Sequence, residues 1–596
     1  MSTEISATPS TDGGAYLRRD SFIERDARSR AFALLDAGAH ELLDPFDRIE
    51  SPWLALQGVV PESDDGLVVV RGTVEGRATV VIAIEQAFQG GGIGEVSGAK
   101  IAAALGSALR DTLAGRPTAA VLLLETGGVR LQEANLGLAA VAEACAGVLA
   151  LREHQPVVAL IAGGLGSFGG MSIVAALCSS VIMTREARLG LNGPEVIESE
   201  AGIREFDAAD HALVWSIDGG VQRHSLHQAD VLVPDDTEPI RLAVAEAVAA
   251  LAAPRVHAPA DEPAGPDDLA TRDVRTPASR ALDTLRRHLA AIDPADPPAP
   301  ADLGAILDSA AEAPLAPRGV TTRGLDPAAG RGTAWTIALA DTAPAFLEST
   351  LLQATLELAG QPATLLTVVP DPGSPYHRAR HGEVGLLEGL ALAERITQIT
   401  AEDAAAPVEK KRPIIAIVDL PSQAYGLLEE MMGIHLHLAA AADAYATARA
   451  AGHPVVALVV GTALSGGFLA HGLQANQILA LDDPHVEIHA MHKPAAARIT
   501  KRSVAELDEL ATRIPPLSYD VREWATLGLC NRLLPVSDAD HPTRDDVSAM
   551  RHQLALAVQR ARSGSRSLES RWSAETSGEN RAATRRVWQA MADQWQ

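Results

Sequence analysis

Aromatic residues are scarce in this 596-residue chain, at 3%, although 47% of it is hydrophobic. Its cores must therefore be built from Ala, Val, Leu and Ile, which favours close-packed α/β layers. Positive charge is also in short supply, with 50 Lys and Arg against 76 Asp and Glu and a net charge of −26. Like charges repel over a Debye length of about 8–10 Å, so nucleic acid and membrane surfaces are not expected partners. The three cysteines, Cys145, Cys178 and Cys530, are far apart, and the first two lie in apolar segments. They form no disulfide framework or zinc ribbon, and no metal site is expected. No apolar run follows the charged residues at the N-terminus, and no uncharged apolar stretch of about 18 residues has membrane-span character. The expectation is a soluble, cytoplasmic protein.

A chain of this length exceeds one hydrophobic core, since domains split beyond roughly 250–300 residues. Residues 1–20 are Ser/Thr/Asp-rich and expected to be disordered. Residues 254–318 are rich in Ala, Pro and Asp and read as a linker with one helical segment, Ser279 to Ile292. Two domains flank it, over 21–253 and 319–596. They repeat each other. PVVALIAGGLGSFGGM (Pro156 to Met171) matches PVVALVVGTALSGGF (Pro454 to Phe468), one residue shorter in the loop. Each copy is preceded by a Gly-Glu-Val expected to open a helix (Gly94-Glu95-Val96; Gly382-Glu383-Val384) and by an apolar strand ending in an acid, Glu125 or Asp419. Uniformly apolar strands alternating with helix-length segments indicate parallel strands joined by right-handed crossovers. The first domain should add a hairpin, Leu67 to Glu85, turning near Glu75-Gly76.

Gly164-Leu165-Gly166-Ser167-Phe168-Gly169 fits the dinucleotide pattern G-x-G-x-x-G, with Glu186 after the next strand. The second copy, GTALSGG, breaks that pattern but keeps Gly-Gly before a helix. Two such glycines let a substrate oxygen approach backbone N–H groups at the positive end of a helix dipole, which makes an oxyanion hole. The alternative is that Gly169-Gly170 and Gly466-Gly467 only permit tight strand-to-helix packing. Gly127-Gly128, directly after a strand, could supply a further N–H, shape an acyl pocket or form a plain turn.

TGGVRLQE (Thr126 to Glu133), the Gly-Gly loop and LGLNGPEVI (Leu189 to Ile197) resemble the carboxyltransferase half of acyl-CoA carboxylases, which has the crotonase-type fold. SPWLALQGVVPESDDG, GGIGEVSGAKIAAAL and GGVRLQEANLGLAAVAE resemble the β subunit of biotin-independent malonate decarboxylase. RARHGEVGLLEG, VDLPSQAYG and AHGLQANQILALDDP resemble its γ subunit. The resemblance implies two tandem crotonase-like, carboxyltransferase-type α/β domains in which normally separate β and γ chains are fused.

What it implies further is decarboxylation of malonyl-S-[acyl carrier protein] to the acetyl form. Loss of CO2 leaves an enolate whose charge collects on the thioester oxygen, so a preorganised oxyanion hole matters more than a strong base. By resemblance, N–H groups around Gly169, Gly170 and Met171 hold that oxygen, and those around Gly466, Gly467 and Phe468 hold the departing carboxylate. Candidates for the proton returned to carbon are His381, Tyr425 and Ser167, with His381 slightly ahead because histidine moves protons near neutral pH. Gly127 and Gly128, with Arg378 and Arg380, are candidates for substrate binding. The bulky Phe468, where biotin-using relatives carry a small residue, implies a closed biotin site. No cofactor bound to this chain is implied. The substrate would ride on a dephospho-CoA-derived phosphopantetheine-type arm of an acyl carrier subunit, with an α subunit exchanging acetyl for malonyl in a hetero-oligomer. Other readings are a biotin-dependent acyl-CoA carboxyltransferase and a non-catalytic acyl-carrier scaffold.

Overall fold

The computed structural model describes residues 19–250, 277–315, 321 and 324–595. Of the N-terminus expected to be disordered, residues 1–18 lie outside this description, as does much of the expected linker, over 254–276 and 316–318. Two sheets, one per half, carry the architecture. The first runs β1 (His40–Leu42), β2 (Leu67–Val74), β3 (Arg77–Ile84), β4 (Ala119–Leu123), β5 (Val157–Ile161), β6 (Ser180–Thr184) and β7 (Val231–Val233), in that spatial order. Antiparallel pairing joins β1, β2 and β3, and every later pair is parallel. The expected hairpin is therefore β2–β3, with Glu75 and Gly76 both at positive φ in its turn.

The second half repeats this with β8 (Ala345–Glu348), β9 (Leu351–Leu358), β10 (Gln361–Val368), β11 (Ile414–Leu420), β12 (Val455–Leu464), β13 (Gln477–Leu481) and β15 (Arg532–Leu534), while β14 (Ile488–His489) pairs with the end of β12. Strands β4 and β5 are continuous runs of Ala, Val, Leu and Ile, and so are β11 up to Asp419 and β12 up to Gly461, because helices cover both faces of a parallel sheet.

Ala-rich helices pack the halves on each other. The helix Gly170–Leu177 lies against Ile434–Ala450 of the second half, and Ser465–Ala470 lies against Ala134–Arg152 of the first. The segment Leu131–Arg152 is by length and composition apolar enough to cross a membrane, though it carries Glu143 within it, and 83% of its most apolar window is buried inside the protein. Its Ala, Gly and Leu residues let neighbouring helices approach closely.

The last helix, Ala582–Gln594, crosses back onto Glu95–Leu113 of the first half. Arg581 gives two N–H groups to Glu143 at 3.0 Å, Thr584 N–H reaches Glu95 Oε1 at 2.9 Å, and Trp595 Nε1 reaches Asp111 at 2.9 Å. The expected linker contains two helices rather than one, Pro277–Ala290 and Pro300–Ala310. Leu303 and Leu307 are buried, and the two helices bridge His211–Asp218 of the first half to Leu386–Glu402 of the second.

Candidate active site

Backbone hydrogen bonds fix which residues of the two halves correspond. Ile93 N–H donates to Gly128 C=O and Val384 N–H to Ser422 C=O, at 2.9 and 3.0 Å. Arg130 N–H returns to Ile93 C=O, and Ala424 N–H to Val384 C=O. Gly94 and Gly385 then cap the following helices with identical dihedrals, φ −111° and ψ −156°. The second of these helices therefore starts at Leu386, three residues later than Gly382-Glu383-Val384 suggested. The partner of Gly94 is the glycine next to the parallel bridge, which is Gly385.

The glycine pairs are also shifted. Gly163 and Gly461 both press on a strand-end acid, Glu125 and Asp419. Ser167 N–H donates to Arg188 C=O and Ala463 N–H to Glu487 C=O, so Ser167 matches Ala463. The second loop is thus two residues shorter, not one. Gly169, at φ 59°, corresponds to Ser465, at φ 57°, and Gly170 corresponds to Gly466. A non-glycine residue held in the left-handed region costs of order 1–3 kcal/mol, the kind of strain that surrounding structure must offset.

Several expected donors are already committed. Gly169 N–H goes to Leu191 C=O at 2.9 Å and Gly127 N–H to Gly90 C=O at 3.0 Å. Gly128 N–H goes to Thr126 Oγ1 at 2.9 Å. Gly127 and Gly128 are therefore a turn that packs, Gly128 lying against Gly169, rather than substrate donors. Gly466 N–H is taken by Gln423 Oε1 at 2.8 Å, so it does not face a departing carboxylate. At the start of the Gly170 helix, Gly170 N–H and Met171 N–H have no acceptor among the described residues, as expected for a helix's first turn. This open pair is what remains of the expected first hole. The dinucleotide reading fails locally because Arg188 donates to Gly164 C=O at 2.7 Å and fills the loop.

Gly170 has a second constraint. A Cβ added there would stand 2.6 Å from Val141 and 2.9 Å from Leu469 of the other half. A side chain would enter the seam between the halves and not the space before the N–H, as the sequence had suggested. Gly170→Val is thus expected to lower stability by about 1–3 kcal/mol through overpacking. Its activity should fall because the N–H moves with the helix. Thermal melting paired with single-turnover kinetics checks this, and an unchanged melting temperature would overturn the packing account.

The remaining candidates separate clearly. His381 is exposed, and its ring lies 3.4 Å from Glu383. Arg378 is bonded to Glu205 of the first half, so its charge is spent across the seam. Arg380 donates Nε–H to Ser374 C=O at 2.8 Å, and no acceptor stands on its Nη groups among the described residues. Ser167 is buried with its hydroxyl unpartnered. Phe468 is fully buried, its ring 6.2 Å from Trp524, and acts as core. Tyr425 directly follows Ala424. Burial pushes its phenol up to about 12, with Glu200 and Glu383 adding, while hydrogen bonds to the Ser465 and Ser422 side chains pull the other way. The strained Ser465 therefore presents its hydroxyl to Tyr425, one helical turn from the Leu469 that packs beside Gly170.

Sequence reasoning missed the residues that hold these loops. Glu430 accepts Leu191 N–H at 3.1 Å and Asn192 N–H at 2.6 Å, and lies 3.6 Å from Arg223. Arg223 also pairs with Asp218 at 2.9 Å, and all three side chains are fully buried. Asn192 and Gln423 stood inside the quoted motifs, LGLNGPEVI and VDLPSQAYG, without any chemical signal. Glu430 sits in an acidic pair before two methionines and gave none either.

Burial, with Asp218 beside it, pushes Glu430 up to about 8, and burial pushes Asp218 up to about 6; Arg223 opposes both shifts. Folded values above the ordinary carboxylate range mean that the folded state keeps protons the unfolded chain releases. That contribution to stability is complete below about pH 4 and is lost as pH rises through about 8. The melting temperature should therefore fall between about pH 4 and 8 and level off above, and Glu430→Gln should flatten the fall. A wild-type protein whose melting temperature rises over that range would contradict this.

Comparison with known proteins follows the same division. The carboxyl transferase domain family matches residues 25–303, and the malonate decarboxylase gamma subunit family matches residues 379–595. Malonyl-S-ACP:biotin-protein carboxyltransferase MADC of Malonomonas rubra is 43% identical over 237 residues, 38% of this chain and 74% of that protein. Its companion MADD is 41% identical over 135 residues, 22% of this chain and 46% of that protein. A chain of a Pseudomonas malonate decarboxylase hetero-tetramer, solved with malonate, is 51% identical, with 50% of this chain and all of that one covered and a TM-score of 0.44. With two α/β halves, each matched by its own subunit type, the chain belongs to the malonate decarboxylase and malonyl carboxyltransferase family as fused β and γ subunits.

Proposed function

We propose that this chain removes CO2 from a malonyl thioester on an acyl carrier protein, without biotin, at the seam between its halves. The observation that carries the reading is the open N–H pair of Gly170 and Met171 at the start of a helix packed against the second half, whose buried Tyr425 is the proton donor of this reading. The thioester oxygen accepts those two N–H groups. As the bond to the carboxylate breaks, its electron pair becomes the enolate and the charge moves onto that oxygen, where two preorganised donors act most strongly. CO2 leaves, and the Tyr425 phenol gives its proton to the enolate carbon, producing the acetyl thioester. Arg380, with its Nη groups open, orients the carboxylate before it departs.

The malonyl group is taken to ride on a phosphopantetheine-type arm of the dephospho-CoA kind, with a separate α subunit reloading malonate. Support for the carrier comes from the names of the relatives, both of which specify malonyl-S-ACP. The same names favour a second reading, carboxyl transfer to a biotin protein. Purified complex and malonyl-loaded carrier decide between them: CO2 release that is indifferent to avidin is expected, and activity abolished by avidin would sink the biotin-free reading.

A further inference from the structure

The halves differ at one equivalent position, and the difference sets how many oxygen seats the chain offers. Val129 and Gln423 correspond, since they bridge Ile93 and Val384 in the same way. In the first half valine has nothing to give the neighbouring N–H, and Gly170 stays open. In the second half Gln423 Oε1 accepts Gly466 N–H at 2.8 Å. Its Nε2 donates to Asn192 Oδ1 at 2.8 Å, and Asn192 Nδ2 reaches Ala424 C=O at 2.9 Å. Asn192 is in turn anchored by its own N–H to Glu430. Gln423 is 5% exposed and Asn192 2%, so water does not compete for these bonds.

We propose that Gln423, held by Asn192 from the other half, closes the second oxygen seat and so excludes a carboxyl acceptor, which confines the chemistry to decarboxylation. This rests on the reaction proposed above. A urea-type acceptor would take the carboxyl group on nitrogen. Its N–H proton would pass to the enolate carbon, an N–C bond to CO2 would form, and charge would gather on the urea oxygen. That oxygen needs a backbone donor as much as the thioester oxygen does. Gly466 N–H is the donor equivalent to Gly170, and a carboxamide already occupies it. Phe468, to which the sequence had assigned the closure, points into the core against Trp524 and leaves this task to Gln423.

The test uses the full chain in its complex with malonyl-loaded carrier, labelled in the free carboxyl group, with biotin methyl ester as acceptor. Wild type is expected to give CO2 and only background carboxybiotin. Gln423→Ala should raise the ratio of carboxybiotin to CO2 by about tenfold or more, since one such donor is worth roughly 10²–10³ in rate. Gln423→Leu, which like Val129 gives the neighbouring N–H no acceptor, should raise the ratio as well, whereas Gln423→Glu, which keeps an acceptor on Gly466 N–H, should stay at the wild-type ratio. Asn192→Ser, which loosens Gln423, carries the same test should Gln423→Ala fail to fold. A folded Gln423→Ala or Asn192→Ser protein that still releases CO2 with an unchanged ratio overturns the proposal. Wild type that releases no CO2 refutes the proposed reaction instead, and wild type that carboxylates biotin refutes both.

Discussion

Tyr425→Phe is expected to slow acetyl-thioester formation by about 10²–10³-fold with the fold intact, within the range for losing a positioned general acid. Burial keeps the phenol protonated at neutral pH, and Ser465 and Ser422 hold it by hydrogen bonds. An enolate carbon is a far stronger base than a phenolate, so the transfer runs downhill once the geometry is set. Phenylalanine keeps the ring's packing and removes only the proton. Single-turnover assays should show the loss in kcat, with KM and melting temperature little changed. His381→Ala is the matched control, because His381 is exposed and bound to Glu383, and it should keep its rate within a few-fold. A Tyr425→Phe protein working at the wild-type rate would remove Tyr425 from the chemistry.

Glu430→Ala should cost roughly 2–6 kcal/mol, about 1–3 kcal/mol for each of the two buried N–H groups that lose their acceptor. The loss leaves Leu191 and Asn192 N–H groups buried without an acceptor, and Arg223 with Asp218 alone. It also releases both glycine loops. Leu191 C=O holds Gly169 N–H, and Asn192 holds Gln423, so one carboxylate of the second half organises both. Denaturant unfolding measures the stability change, and CO2 release from the remaining folded fraction measures the loop effect. Glu430→Gln, which can still accept one N–H, should lose less. Stability within about 1 kcal/mol of wild type for Glu430→Ala would show that the cluster does not brace the seam.

Much was legible in the sequence because it depends on local pattern. Apolar runs such as Val157–Ile161 and Ile414–Leu420 must be buried on both faces, which dictates parallel sheets between helices. The repeat of PVVAL followed by Gly-Gly announced the duplication, and the quoted motifs announced the family. Register within the repeat was not legible. Gly-Glu-Val looks alike at 94–96 and 382–384, but a parallel bridge at Ile93 or Val384 decides which glycine caps the helix. Likewise Gly-Gly at 169–170 and 466–467 invites a one-to-one match, whereas a loop two residues shorter puts Ser465 where Gly169 stands. Which N–H groups remain open depended on distant partners: Leu191 for Gly169, Gln423 for Gly466, and Glu205 for the charge on Arg378. Those partners come from loops far away in the chain. A hydrogen bond forms where folding brings donor and acceptor within about 3 Å, and sequence spacing carries no record of it.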